Sequence, residues 1–101
     1  MLLEKLPIPV VEEKLTKLSG WKLQDDKWLI KKYRFKTFLD AIAFVNEIAK
    51  LSEDENHHPF ISIDYTVVTL KLTSWNARGI TELDLKLIQL YDSIYNASTA
   101  Q

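Results

Sequence analysis

Apolar residues along the chain recur with two periods, and the period changes at recognisable turn signals. Val10, Val11, Leu15 and Leu18 form one helical stripe, predicting a first helix from Pro9 to Leu18. Pro9 suits its first turn, Glu12 and Glu13 suit its positive end, and Gly20 supplies the stop. Trp21 to Leu23 begins a strand, Gln24-Asp25-Asp26-Lys27 is a hairpin turn, and Trp28 to Phe35 returns. Alternation slips between Ile30 and Tyr33, which predicts a bulge or a local twist there. Thr37 caps a second helix, with Asp40 three positions later to reach back to it. That helix runs through Phe38, Leu39, Ala41, Ile42, Phe44, Val45, Ile48 and Ala49 to about Leu51, with a stripe broad enough to lie on a sheet.

The second half repeats the order without repeating the sequence. Phe60, Ile61, Ile63 and Tyr65 make a third strand. Val67 to Thr73 makes a fourth, in which Val68, Leu70 and Leu72 alternate with Thr69, Lys71 and Thr73. Asn76-Ala77-Arg78-Gly79 is a loop. Thr81 caps a third helix with Asp84 at the reach-back position, an arrangement worth about 0.5–2 kcal/mol. Leu83, Leu87, Ile88, Leu90, Tyr91 and Ile94 carry that helix to Tyr95, and residues 97–101 are expected to fray. The order α-ββ-α-ββ-α predicts an α+β fold: a four-stranded antiparallel sheet with helices packed on one face.

Composition narrows the class without naming it. A chain of 101 residues is one domain by size, 47% hydrophobic and 27% charged, as in ordinary globular proteins. Thirteen basic against fourteen acidic residues give a net charge of −1, which argues against nucleic acid as a partner. Zero cysteines exclude disulfides, thiolate metal sites and a cysteine nucleophile, and fit a cytoplasmic protein. Met1-Leu2-Leu3 is broken at once by Glu4 and Lys5, so no signal peptide is read, and no run approaches membrane-spanning length.

The candidate chemistry lies between the second helix and the third strand, in Glu53-Asp54-Glu55-Asn56-His57-His58-Pro59. His57 and His58 are the chain's two histidines. Imidazole is the side chain that gives or takes a proton near neutrality. Pro59 fixes its own φ and pushes His58 towards extended backbone. On an irregular loop the two rings can reach one cleft from two directions; the alternative is a solvated loop with two surface histidines. Glu53, one helical turn earlier, can orient a histidine or simply be solvated at a helix end. A metal site built on Glu53, Asp54, His57 and His58 is disfavoured, because no further His or Cys completes a zinc set.

Glu53, His57-His58-Pro59, Tyr65, Trp75 and Asp84, in this spacing, resemble the signature of the pterin-4a-carbinolamine dehydratases. Gly20-Trp21, Phe35-Lys36-Thr37-Phe38, Ala41 and Phe44 resemble that family's amino-terminal half, so the likeness spans a core of about residues 9–96. The resemblance implies a hydro-lyase that removes water across C4a and N5 of a 4a-hydroxytetrahydropterin, giving the quinonoid dihydropterin. It implies no metal and no cofactor, a small-molecule pterin as partner, no membrane, and a homodimer or homotetramer. Carried over residue by residue, it makes His57 and His58 the catalytic pair. It places Glu53, Asn56, Pro59, Thr73, Ser74, Trp75 and Asn76 at the substrate, while Asp84 and Thr81 are read as helix-capping residues. Trp75 stands where a third histidine is commoner in the family. An indole can stack and donate one N–H but cannot shuttle a proton. Asn56 stands where many relatives have Asp, and Arg78 where a small residue is usual. The competing class is a non-enzymatic pterin-binding or dimerisation module, since some animal relatives serve a homeodomain transcription factor. Retention of both histidines argues for the enzyme.

Overall fold

The structure, a computed structural model, describes residues 4–99. The leader reading at Met1-Leu2-Leu3 and the fraying expected at Ala100 and Gln101 lie outside those residues. The elements are α1 (Ile8–Leu15), β1 (Lys22–Gln24), β2 (Trp28–Arg34), α2 (Phe38–Glu55), β3 (Phe60–Asp64), β4 (Val67–Leu72) and α3 (Glu82–Thr99). The strands form one antiparallel sheet in the order β1-β2-β4-β3, so both hairpins are adjacent pairs and β2 meets β4 in the centre.

The sheet's period-2 pattern divides it into two faces. Leu29 and Tyr33 of β2 and Val68, Leu70 and Leu72 of β4 point to the helices and are buried. They meet Ala41, Phe44 and Ile48 of α2 and Leu87, Ile88 and Tyr91 of α3 in a single core. The opposite face carries Ile30, Lys32 and Arg34 beside Thr69, Lys71 and Val67. One face is therefore covered and the other open, as the alternation in β4 requires.

Several sequence expectations change at the edges of elements. α1 ends at Leu15, not Leu18: successive N–H groups of Thr16, Lys17 and Leu18 donate to carbonyls three residues back, tightening the chain into turns before Gly20 at φ 86°. Glu12 and Glu13 lie beyond the first turn, so they do not meet the helix's positive end. β2 contains no bulge. Its pairing with β4 is unbroken from Leu29 to Arg34, and the inward set is Leu29, Lys31 and Tyr33. The apparent slip arises because Lys31 faces inward, where its Nζ donates to Asp92 Oδ1 (2.8 Å) and to Ser19 O (3.0 Å). Tyr65 is not in β3 but in the turn after it, at φ 55° and well exposed. α2 continues one turn past Leu51, to Glu55, and α3 past Tyr95, to Thr99. At the start of α2 the Asp40 N–H donates to Thr37 Oγ1 (3.0 Å), the expected cap.

Candidate active site

The histidine segment is built by the way α2 stops. Asn56 adopts φ 50°, ψ 43°, the left-handed conformation in which Asn is among the best-tolerated residues after Gly. The His57 N–H then donates five residues back to Ser52 O (3.1 Å), and the Asn56 N–H three residues back to Glu53 O (3.3 Å). These two bonds close the helix and turn the chain sharply. His57 is thereby swung inward and His58 outward; Pro59 follows, buried, and leads straight into β3. Asn56 itself is exposed.

His57 is tied to α3. Its Nε2 lies 2.7 Å from Asp84 Oδ1, and the Asp84 side chain has no exposure to solvent. A carboxylate can only accept, so the hydrogen sits on Nε2 and leaves Nδ1 as the free nitrogen of a neutral ring. The other oxygen of Asp84 accepts from Ser74 Oγ–H (2.7 Å) and from the Thr81 N–H (2.8 Å). Thr81 Oγ1 lies 2.9 Å from Ser74 Oγ and 3.2 Å from the same Asp84 oxygen, two acceptors for its one hydrogen. All of these partners donate, which is how a buried carboxylate is satisfied.

His58 is tied to α2. Its Nε2 lies 2.5 Å from Glu53 Oε2. Both side chains are largely solvent-exposed, so this pair orients the ring more than it stabilises the fold. Each histidine thus has Nε2 held on a carboxylate, one buried and one at the surface.

β4 and the start of α3 supply the rest through a small closed loop. Ser74 and Gly79 exchange backbone bonds (3.0 and 3.3 Å), and the Arg78 N–H donates to Trp75 O (3.1 Å). Arg78 holds φ 61°, so a long cationic side chain does fit the loop, at the position that turns it. Thr73 and Ser74 are buried, Asn76 is exposed at the tip, and Trp75 projects outward with 54% of its surface accessible. Trp75 meets Trp28 edge-on at 5.2 Å and Phe60 at 5.9 Å between ring centres.

The structure therefore joins Glu53 to His58, and Ser74, Thr81 and Asp84 to His57. The sequence favours Asp84 as a cap within the family signature. It is a cap, and its second oxygen also grips His57, a contact across 27 positions that local spacing cannot show. In the sequence Trp28 and Phe60 are strand residues, and their contact with Trp75 has no signal there beyond aromatic character. Among the described residues no three His, Asp or Glu side chains converge as a metal-ligand set, and no helix is long and apolar enough to cross a membrane. A cleft of about 340 Å³ between α1 and α3 is lined by Lys14, Lys17, Leu18, Glu82, Leu85, Lys86 and Gln89. It contains none of the histidine-site groups.

Known proteins resemble this chain in sequence and in fold. A relative from Thermomicrobium roseum, named "Putative pterin-4-alpha-carbinolamine dehydratase", is 48% identical over 73 residues, covering 72% of this chain and 77% of its own. One from Sulfurisphaera tokodaii, with the same name, is 34% identical over 92 residues, covering 91% of this chain and 98% of its own. A solved structure from Brucella melitensis, described as a transcriptional coactivator/pterin dehydratase, superposes with a TM-score of 0.86 at 29% identity, covering 91% of this chain and 99% of that one. A pterin dehydratase-like protein identified as a RuBisCO assembly factor shares the fold, with a TM-score of 0.67 at 24% identity over 77% of this chain. The family model for pterin 4 alpha carbinolamine dehydratase matches residues 4–94, and the chain belongs to that family.

Proposed function

We propose that this chain is a hydro-lyase that dehydrates 4a-hydroxytetrahydropterin to the quinonoid dihydropterin, with His57 and His58 as its acid-base pair. One observation carries the reading: both imidazoles hold Nε2 on a carboxylate, Asp84 and Glu53, and so present Nδ1 as the remaining proton-transfer nitrogen. A protonated ring gives its proton to the hydroxyl leaving C4a, and that hydroxyl departs as water. A neutral ring takes the proton from N5, and the N5–H electron pair forms the new C=N bond to C4a. The pair as a whole gains and loses one proton per turnover. General acid-base terms of this kind contribute roughly 10²–10⁴-fold in rate.

Trp75, Asn76 and the Thr73–Ser74 backbone take the role of binding surface in this reading. Trp75 carries no proton and serves as an aromatic contact. The product belongs to tetrahydrobiopterin recycling or a related pterin pathway. We read the working form as a homodimer or homotetramer, because β3 is an edge strand whose Ile61 and Ile63 remain 37% and 40% exposed.

The test is the dehydration rate of freshly generated 4a-hydroxytetrahydropterin with wild type, His57→Ala and His58→Ala. Acceleration by wild type, and loss of at least tenfold of it in either variant, is expected for general acid-base work. A folded wild type that adds nothing to the buffer rate sinks the proposal and favours a non-enzymatic binding module.

A further inference from the structure

The open face of the sheet carries an aromatic and cationic ledge that the acid-base chemistry does not use. Trp28 is its hub. Its ring centre lies 4.9 Å from that of Phe60 and 5.2 Å from that of Trp75. Lys71 Nζ sits 4.5 Å above the Trp28 ring, and Lys27 Nζ 5.3 Å above the Trp75 ring. Neither lysine pairs with a carboxylate among the described residues; Asp25 and Asp26 share the turn with Lys27 without pairing to it. Phe60 and Trp75 are each 54% exposed.

Two features make this more than a surface cluster. First, the ledge is joined to the histidine segment through the chain: Phe60 lies two residues after His58, and Trp75 directly follows Ser74, whose hydroxyl donates to the Asp84 that contacts His57. Second, its charge is one-sided. Lys22, Lys32, Arg34 and Lys71 share the open face with one acid, Asp64. A cation resting on an exposed indole is held by only about 0.5–1 kcal/mol, so it can move to an incoming anion. The aromatic rings offer a flat apolar contact beside it.

Building on the dehydratase reading, we propose that Trp28, Phe60, Trp75, Lys27 and Lys71 form a second subsite that binds an anionic substituent on the pterin. The flat ring system faces the histidines, and its carboxylate- or phosphate-bearing side chain lies along the ledge. Trp28, Lys27 and Lys71 are then specificity-determining residues, and the preferred substrate is an anionic pterin over a neutral one.

The experiment compares stable probes by equilibrium fluorescence titration at low and high salt. They are neutral 6-hydroxymethylpterin, anionic 6-carboxypterin, and the phosphate ester of 6-hydroxymethylpterin. The anionic probes are expected to bind about tenfold tighter than the neutral one at low salt, with the gap closing at high salt. The gap closes in Lys27→Gln/Lys71→Gln and narrows in Lys27→Gln alone, which changes only an exposed turn. It persists in Lys50→Gln, which removes a lysine on α2. The carboxylate and phosphate arms show which anion the ledge prefers. Equal affinity for neutral and anionic probes, a gap that survives the double variant, or no binding of any probe overturns the subsite. Dehydration of a neutral 4a-hydroxytetrahydropterin by the same preparation reports separately on the catalytic reading, so the two failures are distinguishable.

Discussion

Asp84 reaches His57 Nε2 at 2.7 Å with one oxygen and closes the first turn of α3 with the other. One buried side chain thus fixes the tautomer of the His57 ring and the start of a helix. Asp84→Asn keeps the shape but replaces an acceptor with an amide that can present N–H to the ring. Dehydration kcat is expected to fall by about 100-fold or more, because a ring held in the wrong tautomer forfeits a general acid-base term of roughly 10²–10⁴. Stability falls by about 1–2 kcal/mol through the cap and the buried bonds. Rate assays beside urea melts check both, and a variant with full activity refutes the clamp.

Glu53 and His58 form the same contact at the surface, so its energetic weight differs. Glu53→Gln is expected to change stability by under about 0.5 kcal/mol, since both side chains are exposed. Dehydration should fall severalfold, because His58 loses its orientation. A large stability loss with unchanged rate contradicts that assignment.

Two buried tyrosines give opposite expectations for one substitution. Tyr33 Oη–H donates to Asp92 Oδ1 (2.6 Å), within a set that also includes Trp21 Nε1 and Lys31 Nζ. The Tyr91 hydroxyl is buried and finds no hydrogen-bond partner among the described residues; neighbouring Ser52 donates instead to Ile48 O (2.7 Å). Tyr33→Phe is expected to cost about 1.5–3 kcal/mol because the acceptor is charged, whereas Tyr91→Phe is expected to stabilise by about 1 kcal/mol. Thermal melts of the two variants check the contrast.

The same tyrosines set an alkaline limit. Burial, and then the Asp92 carboxylate, push the Tyr33 hydroxyl above its ordinary value of 10.0; burial, and then the Asp84 charge, push up Tyr91. Unfolded tyrosine ionises near 10 while the folded hydroxyls stay neutral. Their contribution is therefore complete below about pH 10 and is lost as pH rises above it. Urea midpoints from pH 8 to 11 should hold and then drop. In Tyr33→Phe/Tyr91→Phe the drop is shallower.

Arg78 sits at φ 61°, a conformation that strains a residue with a Cβ. Arg78→Gly is expected to be neutral or to stabilise by up to about 1 kcal/mol, with the Ser74–Gly79 pairing intact. A clear destabilisation in the melt shows that the Arg78 side chain makes a contact worth more than the strain.

The fold was legible because its signals are periodic and local. β4 shows this best: Val68, Leu70 and Leu72 are all fully buried, as strict alternation demands. Thr37 and Thr81 announced the two long helices by their hydroxyls and the acids three positions later. Lys31 misled because a lysine usually marks the wet face. Here a partner 61 positions away, Asp92, makes it an inward residue, and no window of sequence contains both. In the site, adjacency revealed His57 and His58, and one helical turn revealed Glu53. The Asp84 grip on His57 and the Trp28–Phe60–Trp75 cluster come from tertiary contact and stayed hidden for the same reason as Asp92.

The left-handed corner at Asn56 has a consequence for how this segment tolerates change. Between Glu55, the last residue of α2, and Phe60, the first of β3, stand four residues: one to turn, one to face in, one to face out, one to enter the sheet. The count of links carries as much information as their chemistry. Counted from the end of α2, a single residue added before His57 puts the newcomer in the inward slot and moves His57 to the outward one, so the Asp84 contact loses its histidine. Insertions and deletions here act as a rotation of the site, and the segment is therefore constrained in length more tightly than in composition.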